Sequence, residues 1–179
     1  GNLEMTLASR LSTHANLGHL DNRDELSSVI MGNIAIVQCQ AVVVGLLAAL
    51  VATAMNYATS GDLILRHVAL LAASSILAAS ISSFILAVIM IFIVLQAHRC
   101  GIDPDNVAPP IAGMLGDFCT LGVISVIASG LYDQGLDGWM VQLAVVLLYI
   151  IVAVVSALIS YRNKHVHIVL RESWTPVVF

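Results

Sequence analysis

Long apolar runs separated by short polar breaks set the pattern of this chain, and four of them are long enough to be membrane helices. They cover residues 34–57, 67–97, 107–131 and 139–161. A helix rises about 1.5 Å per residue and the hydrocarbon core is about 30 Å thick, so one crossing needs about twenty apolar residues. The second run exceeds that need, which predicts tilt, an interfacial end or a helix continuing beyond the bilayer. Ahead of the first run, residues 1–17 are more polar, yet Leu3, Leu7 and Leu11 recur at helical spacing. This stretch is predicted to be the tail of a broken membrane helix. The expected fold is an all-α polytopic bundle of four full spans plus that partial helix, with residues 1–160 as one transmembrane domain and 161–179 as a cytoplasmic connector and the start of a second half.

Composition agrees, with 59% hydrophobic and 10% charged residues, against about 45–50% and about 25% in ordinary soluble domains. The net charge of −4 comes almost entirely from side chains outside the apolar runs and points to no nucleic-acid partner. Placing loops alternately on the two sides puts Arg10, Arg23, Arg99, Arg162, Lys164 and Arg171 together and leaves only Arg66 opposite. By the positive-inside rule the first side is cytoplasmic, and the loop at 132–138 faces outward. Cys39, Cys100 and Cys119 show no CxxC spacing and read as packing residues, not as a disulfide framework or a thiolate site.

Small residues recur every four positions in three spans: Ala41, Gly45, Ala49, Thr53; then Ser75, Ala79, Ser83, Ala87; then Ala108, Ala112, Gly116, Thr120. Such stripes let helix backbones approach closely where lipid supplies no hydrophobic drive. The serines are expected to bond the carbonyls one turn back more than to line a polar path.

Asp117 stands inside the third run. A charge at the centre of a membrane helix costs roughly 2.5–3.5 kcal/mol on insertion scales, so it commonly marks an ion path, a proton relay or a catalytic acid. Gly113 lies one turn before it and Pro110 almost two, on the same helical face. A glycine there leaves room for a hydrated ion to reach a backbone carbonyl. Pro109 and Pro110 suit a first turn, where missing donors matter least, so the helix is expected to begin near Pro109 with Asp117 about two turns inside. A structural alternative pairs Asp117 with Arg66, a backbone amide or a serine. The spans hold no internal Lys, Arg or His, which favours an ion from solution. One carboxylate holds a divalent ion weakly, and a second copy across a two-fold axis, or a duplicated half, doubles the charge. Mg2+ suits such a site, because it dehydrates reluctantly and keeps its waters beside one or two carboxylates.

Asn2 and Glu4 form a second polar cluster. For Glu4 a place at a pore entrance and a solvated acid near Arg10 stay equally open. Asp103 and Asp105, ahead of the third span, read as helix caps before they read as cation collectors. His98, Arg99 and residues 162–167 read as interfacial anchors.

At these residues the chain resembles the MgtE-type magnesium transporters, and most closely their animal branch, solute carrier family 41. Gly1-Asn2-Leu3-Glu4-Met5-Thr6-Leu7-Ala8-Ser9-Arg10-Leu11-Ser12-Thr13 is similar to that branch's signature after its broken helix. Asp103-Pro104-Asp105-Asn106-Val107-Ala108, with Pro110-Ile111-Ala112 and Gly116-Asp117, is similar to its pore-helix signature. Glu4-Met5 and Pro109 depart from the bacterial members. The resemblance implies Mg2+ as the transported ion, Asp117 as the pore aspartate, Gly113 as the source of a carbonyl facing the hydrated ion, and Asn2 and Glu4 beside the same pore. It implies a multi-pass protein of the plasma membrane, and it leaves open whether Na+ is a coupling ion. It also implies that this chain is one half of a duplicated membrane domain, lacking the family's first helix and requiring a second half or a homodimer partner.

Two other classes compete. A noncatalytic membrane scaffold would associate through the small-residue stripes and show no ion dependence. An intramembrane aspartyl protease would use Asp117 within Leu115-Gly116-Asp117-Phe118, but it needs a second carboxylate beside the first. Asp133 lies about 24 Å away along the same helix, so the chain is not expected to be an enzyme.

Overall fold

The computed structural model describes residues 2–18, 22–61, 64–133, 139–166 and 168–169. Five helices appear among them: α1 Asn2–Asn16, α2 Arg23–Ser60, α3 Leu65–Arg99, α4 Pro104–Asp133 and α5 Trp139–Arg162. Four, α2 to α5, are long and apolar enough to cross a membrane, and the described residues contain no strand. The protein is thus an all-α, integral multi-pass bundle with α1 as the shorter, more polar element.

Three of the boundaries have a local cause. Asn22, extended at φ −97° and ψ 125°, caps α2 by accepting a hydrogen bond from the Asp24 amide at 3.1 Å. Gly61 closes α2 in the left-handed conformation and donates its amide to the Tyr57 carbonyl. At α4, Asp103 Oδ1 accepts from the Asp105 amide at 3.2 Å, so the cap expected of this acid is formed.

The start of α4 corrects the expectation of a helix opening at Pro109. Pro104 takes the first turn, and Pro109 and Pro110 lie inside the helix. Pro104 suits the first position because its missing donor has no partner there in any case. The next two prolines only forgo bonds to the carbonyls of Asp105 and Asn106, two exposed residues near the helix start. Asp117 accordingly lies thirteen residues, or about 20 Å, along α4, more than three turns deep.

α2 also begins earlier than its apolar run. Its added stretch is held because Val29, Gly32 and Asn33 are buried, with Gly32 against the segment after α5. A Cβ on Gly32 would stand 2.7 Å from Asn163 Nδ2 and 2.9 Å from Val166 Cγ2. Asn163 Nδ2 donates to the Ser28 carbonyl at 2.7 Å, and Val166 is fully buried. The chain after the last span therefore returns onto the opening turns of α2.

The bundle centres on α3, against which α2 and α4 pack, with α1 wedged beside α3 and α4. Leu7, Ala8, Leu11 and Ala15 of α1 meet Val29 and Val37 of α2, Ala87, Met90, Ile91 and Val94 of α3, and Ala108 and Ala112 of α4 in one buried cluster. The small-residue stripes account for these approaches. Ala41, Gly45 and Ala49 all face inward, and a Cβ on Gly45 would come within 2.7 Å of the Ile76 Cα. The inward residues of α5 are polar, namely Gln142, Ser156 and Ser160. Its Leu147, Ile151 and Leu158 are 57–62% exposed, as suits a lipid-facing surface.

Two glycines separate packing from function. Gly45→Ala is expected to destabilise the protein by about 1–3 kcal/mol through overpacking, visible as a lower thermal midpoint in detergent. Gly113→Ala, where an added Cβ meets nothing within 4 Å, is expected to leave that midpoint unchanged or slightly higher, since alanine is the better helix former.

Candidate cation site on the fourth helix

α4 has two unlike faces, and its sequence dictates both. Ala108, Ala112 and Gly116 recur every four residues and are buried, because only small side chains fit where α4 lies against α1 and α3. The other face carries Pro110, Met114, Asp117, Phe118 and Leu121, all exposed. Phe118 reaches 77% and Met114 71%, so this surface is not covered by the chain's own helices. Gly113 is half-buried beside it.

Asp117 makes no hydrogen bond or ion pair with any described residue, so the fixed partner weighed from the sequence, Arg66 included, is not formed. In this turn Thr120 Oγ1 donates to the Gly116 carbonyl at 2.7 Å. Pro110, Gly113 and Asp117 share a face as their spacing predicts. No described residue comes within 4 Å of the place a Cβ on Gly113 would take, one turn below the carboxylate. Among the described residues no three His, Cys, Asp or Glu side chains gather closely enough to hold a metal. Asp117 is a single charge on an open face.

Glu4 is placed differently. It is 4% exposed and accepts a hydrogen bond from Ser83 Oγ at 2.9 Å, which joins α1 to the middle of α3. The solvated acid beside Arg10 considered from the sequence is therefore replaced by a buried one. Ser83 lies sixteen residues, or about 24 Å, before the end of α3 at Arg99. Asp117 stands about 20 Å along α4 from the turn that joins it to α3. The two carboxylates thus occupy comparable depths, one inside the bundle and one on its outer face. The backbone of Asn2 lies in the first turn of α1, two residues before Glu4.

Further polar contacts join or brace α1, α2 and α3. Arg10 Nε donates to Asn33 Oδ1 at 3.0 Å, and Asn33 Nδ2 donates to the Val29 carbonyl at 2.9 Å. Gln38 Nε2 donates to the Ser80 carbonyl at 3.1 Å, and buried Ser82 bonds the Ala78 carbonyl one turn back at 2.6 Å. Ser82 thus behaves as the serines of these spans are expected to, whereas Ser83 serves Glu4. Sequence reasoning missed Ser83 as a partner, although the cluster Ser80, Ser82 and Ser83 in the middle of an apolar run was a visible signal. Asn33 and Gln38, the other polar residues joining helices, carried no distinguishing pattern. Cys39 is buried, Cys100 exposed and Cys119 between the two, and all three are free thiols.

Comparison with known proteins gives this arrangement a family. The family model for MgtE, described as a divalent cation transporter, matches residues 1–127. Solute carrier family 41 member 3 of Rattus norvegicus is 39% identical over 178 residues, covering 99% of this chain and 38% of its own length. Solute carrier family 41 member 2 of Homo sapiens is 38% identical over the same span, 31% of its length. The chain therefore spans about a third of the relatives it matches. No solved structure matches it. On the family model, which takes in both the α1 segment and the Asp117 turn, the chain belongs to the MgtE family.

Proposed function

We propose that this chain forms one half of a divalent cation pathway through the plasma membrane, with Mg2+ as its ion. The observation that carries the reading is Asp117, a carboxylate deep along a membrane helix, open on its outer face and without a partner among the described residues. A charge so placed needs a mobile counter-ion, since the alternative is an uncompensated ion in a medium of low dielectric. Asp117 attracts the ion electrostatically while the ion keeps most of its waters. Gly113 leaves the space in which those waters reach a backbone carbonyl. Asn2, at the α1 end, borders the path, and Glu4 adds negative potential from within the bundle while Ser83 holds it in place.

The uncovered face of α4 calls for a second surface, and a homologous half or a second copy supplies it. Two Asp117-like carboxylates across that axis then suit a hydrated divalent ion better than a monovalent one, because the attraction scales with the ion's charge. Mg2+ fits the oxygen-only chemistry, whereas Zn2+ favours nitrogen and sulfur ligands. A Na+ gradient imposed during flux measurements separates exchange from conduction.

Substitution of Asp117 tests the assignment. In the complete protein, with both halves present and reconstituted into proteoliposomes, Asp117→Asn is expected to lower Mg2+ flux at limiting Mg2+ by at least about tenfold. Its thermal midpoint is expected to stay unchanged, since the carboxylate holds no structural bond. Unaltered flux and concentration dependence would refute the role.

Glu4 and Ser83 give a second test. Glu4→Gln keeps a group able to accept from Ser83 and is expected to retain the fold while reducing Mg2+ flux. Ser83→Ala leaves a buried acceptor one donor short and is expected to lower stability by about 1–3 kcal/mol. Thermal unfolding and flux measured on the same preparations check both.

A further inference from the structure

The cytoplasmic end of α5 and the opening of α2 enclose a groove that the cation pathway does not use. It has a volume of about 500 Å3 and is lined by Ser28, Ile159, Arg162, Asn163 and Lys164. Its chemistry is uneven in an informative way. Arg162 and Lys164 bring two cations to one side, Ile159 brings an apolar wall that is 40% exposed, and Ser28 brings a hydroxyl.

The remaining polar groups of the groove are accounted for. Asn163 spends its amide hydrogens on the Ser28 carbonyl at 2.7 Å and on Ser28 Oγ at 3.3 Å, and its Oδ1 accepts from the His165 amide at 2.9 Å. These bonds fix the floor. Ser28 Oγ is an acceptor in that contact, so its own hydrogen remains available to a ligand. Lys164 Nζ lies 3.7 Å from Glu25 Oε1, in a pair whose side chains are 69% and 36% exposed, and a pair so exposed is weakly held. Arg162 makes no hydrogen bond or ion pair with a described residue. Among the described residues one cation is thus unpaired and a second is loosely held, above a fixed floor and beside an apolar wall.

We propose that this groove binds the phosphate headgroup of an anionic phospholipid from the cytoplasmic leaflet. The guanidinium of Arg162 pairs with phosphate oxygens in its fork geometry, Lys164 adds a second charge, Ser28 donates its hydroxyl, and the first acyl carbons run along Ile159. The excess of basic residues at this end places it at the cytoplasmic surface, where anionic lipids are concentrated and basic pockets between helices take their headgroups. Because Asn163 ties the groove floor to α2, a bound lipid clamps α5 onto α2 and raises the stability of the bundle.

The test uses the full protein, purified in a phosphatidylcholine-based detergent mixture and titrated with short-chain phosphatidylserine while the thermal midpoint is followed. The wild type is expected to rise in midpoint with phosphatidylserine and not with added phosphatidylcholine. Arg162→Gln and Lys164→Gln are each expected to weaken the apparent lipid affinity roughly fivefold, as removal of one interfacial cation does, and the double variant about thirtyfold. Glu25→Gln is the discriminating variant: a purely structural ion pair would lose stability, whereas release of Lys164 is expected to tighten phosphatidylserine binding. Inorganic phosphate is the control for the ligand's source. If phosphate alone reproduces the whole rise, the site takes a soluble phosphate and the lipid assignment is overturned. An equal rise with phosphatidylcholine, or a wild-type response in the double variant, overturns the groove as an anion site altogether.

Discussion

Helices in a bilayer gain nothing hydrophobic by meeting, because lipid tails are as apolar as leucine side chains, so this bundle depends on how closely its backbones approach. Gly45 shows the constraint most directly, with space for a Cβ taken by the Ile76 backbone. Ala108 and Ala112 show it again on α4, where they are fully buried in the cluster formed with α1 and α3. Once that small-residue stripe is committed inward, helical geometry turns Met114, Asp117, Phe118 and Leu121 the other way. The position of the candidate ion ligand is therefore a by-product of packing.

Legibility of the sequence followed the strength of each physical signal. Four spans were readable because about twenty apolar residues in a row have few other outcomes, and the stripes correctly marked the inward faces of α2 and α4. The ends were less readable. α2 runs eleven residues ahead of its apolar run because tertiary contacts with Asn163 and Val166, distant in sequence, hold an amphipathic stretch that hydropathy alone leaves out. α4 starts at Pro104 because prolines in the second turn give up bonds only to exposed carbonyl residues, a milder loss than the rule against interior proline suggests.

The candidate site divides in the same way. Asp117 was legible because a lone acid in an apolar run is expensive and hence conspicuous. Its openness on α4 depends on which neighbours cover it, and no sequence pattern reports that. Glu4 was ambiguous for the opposite reason. Near a polar, broken segment an acid costs little, so the sequence could not distinguish a solvated group from a buried one. Only the arrival of Ser83 from another helix, 2.9 Å away, decides it.

The contrast between the two carboxylates has a mechanistic consequence. A buried acid with a protein donor is already partly compensated, so it sets a potential without needing to exchange its partner. An open acid with no protein partner can be compensated only by something that comes and goes. Transport demands the second arrangement, since a site that binds too completely cannot release. On the proposed reading the chain separates the two tasks, with Glu4 shaping the field from inside the bundle and Asp117 meeting the ion on the face that a second half would close. On that reading a single half would hold too little charge to dehydrate Mg2+, and that weakness would favour passage of the ion with its waters over capture.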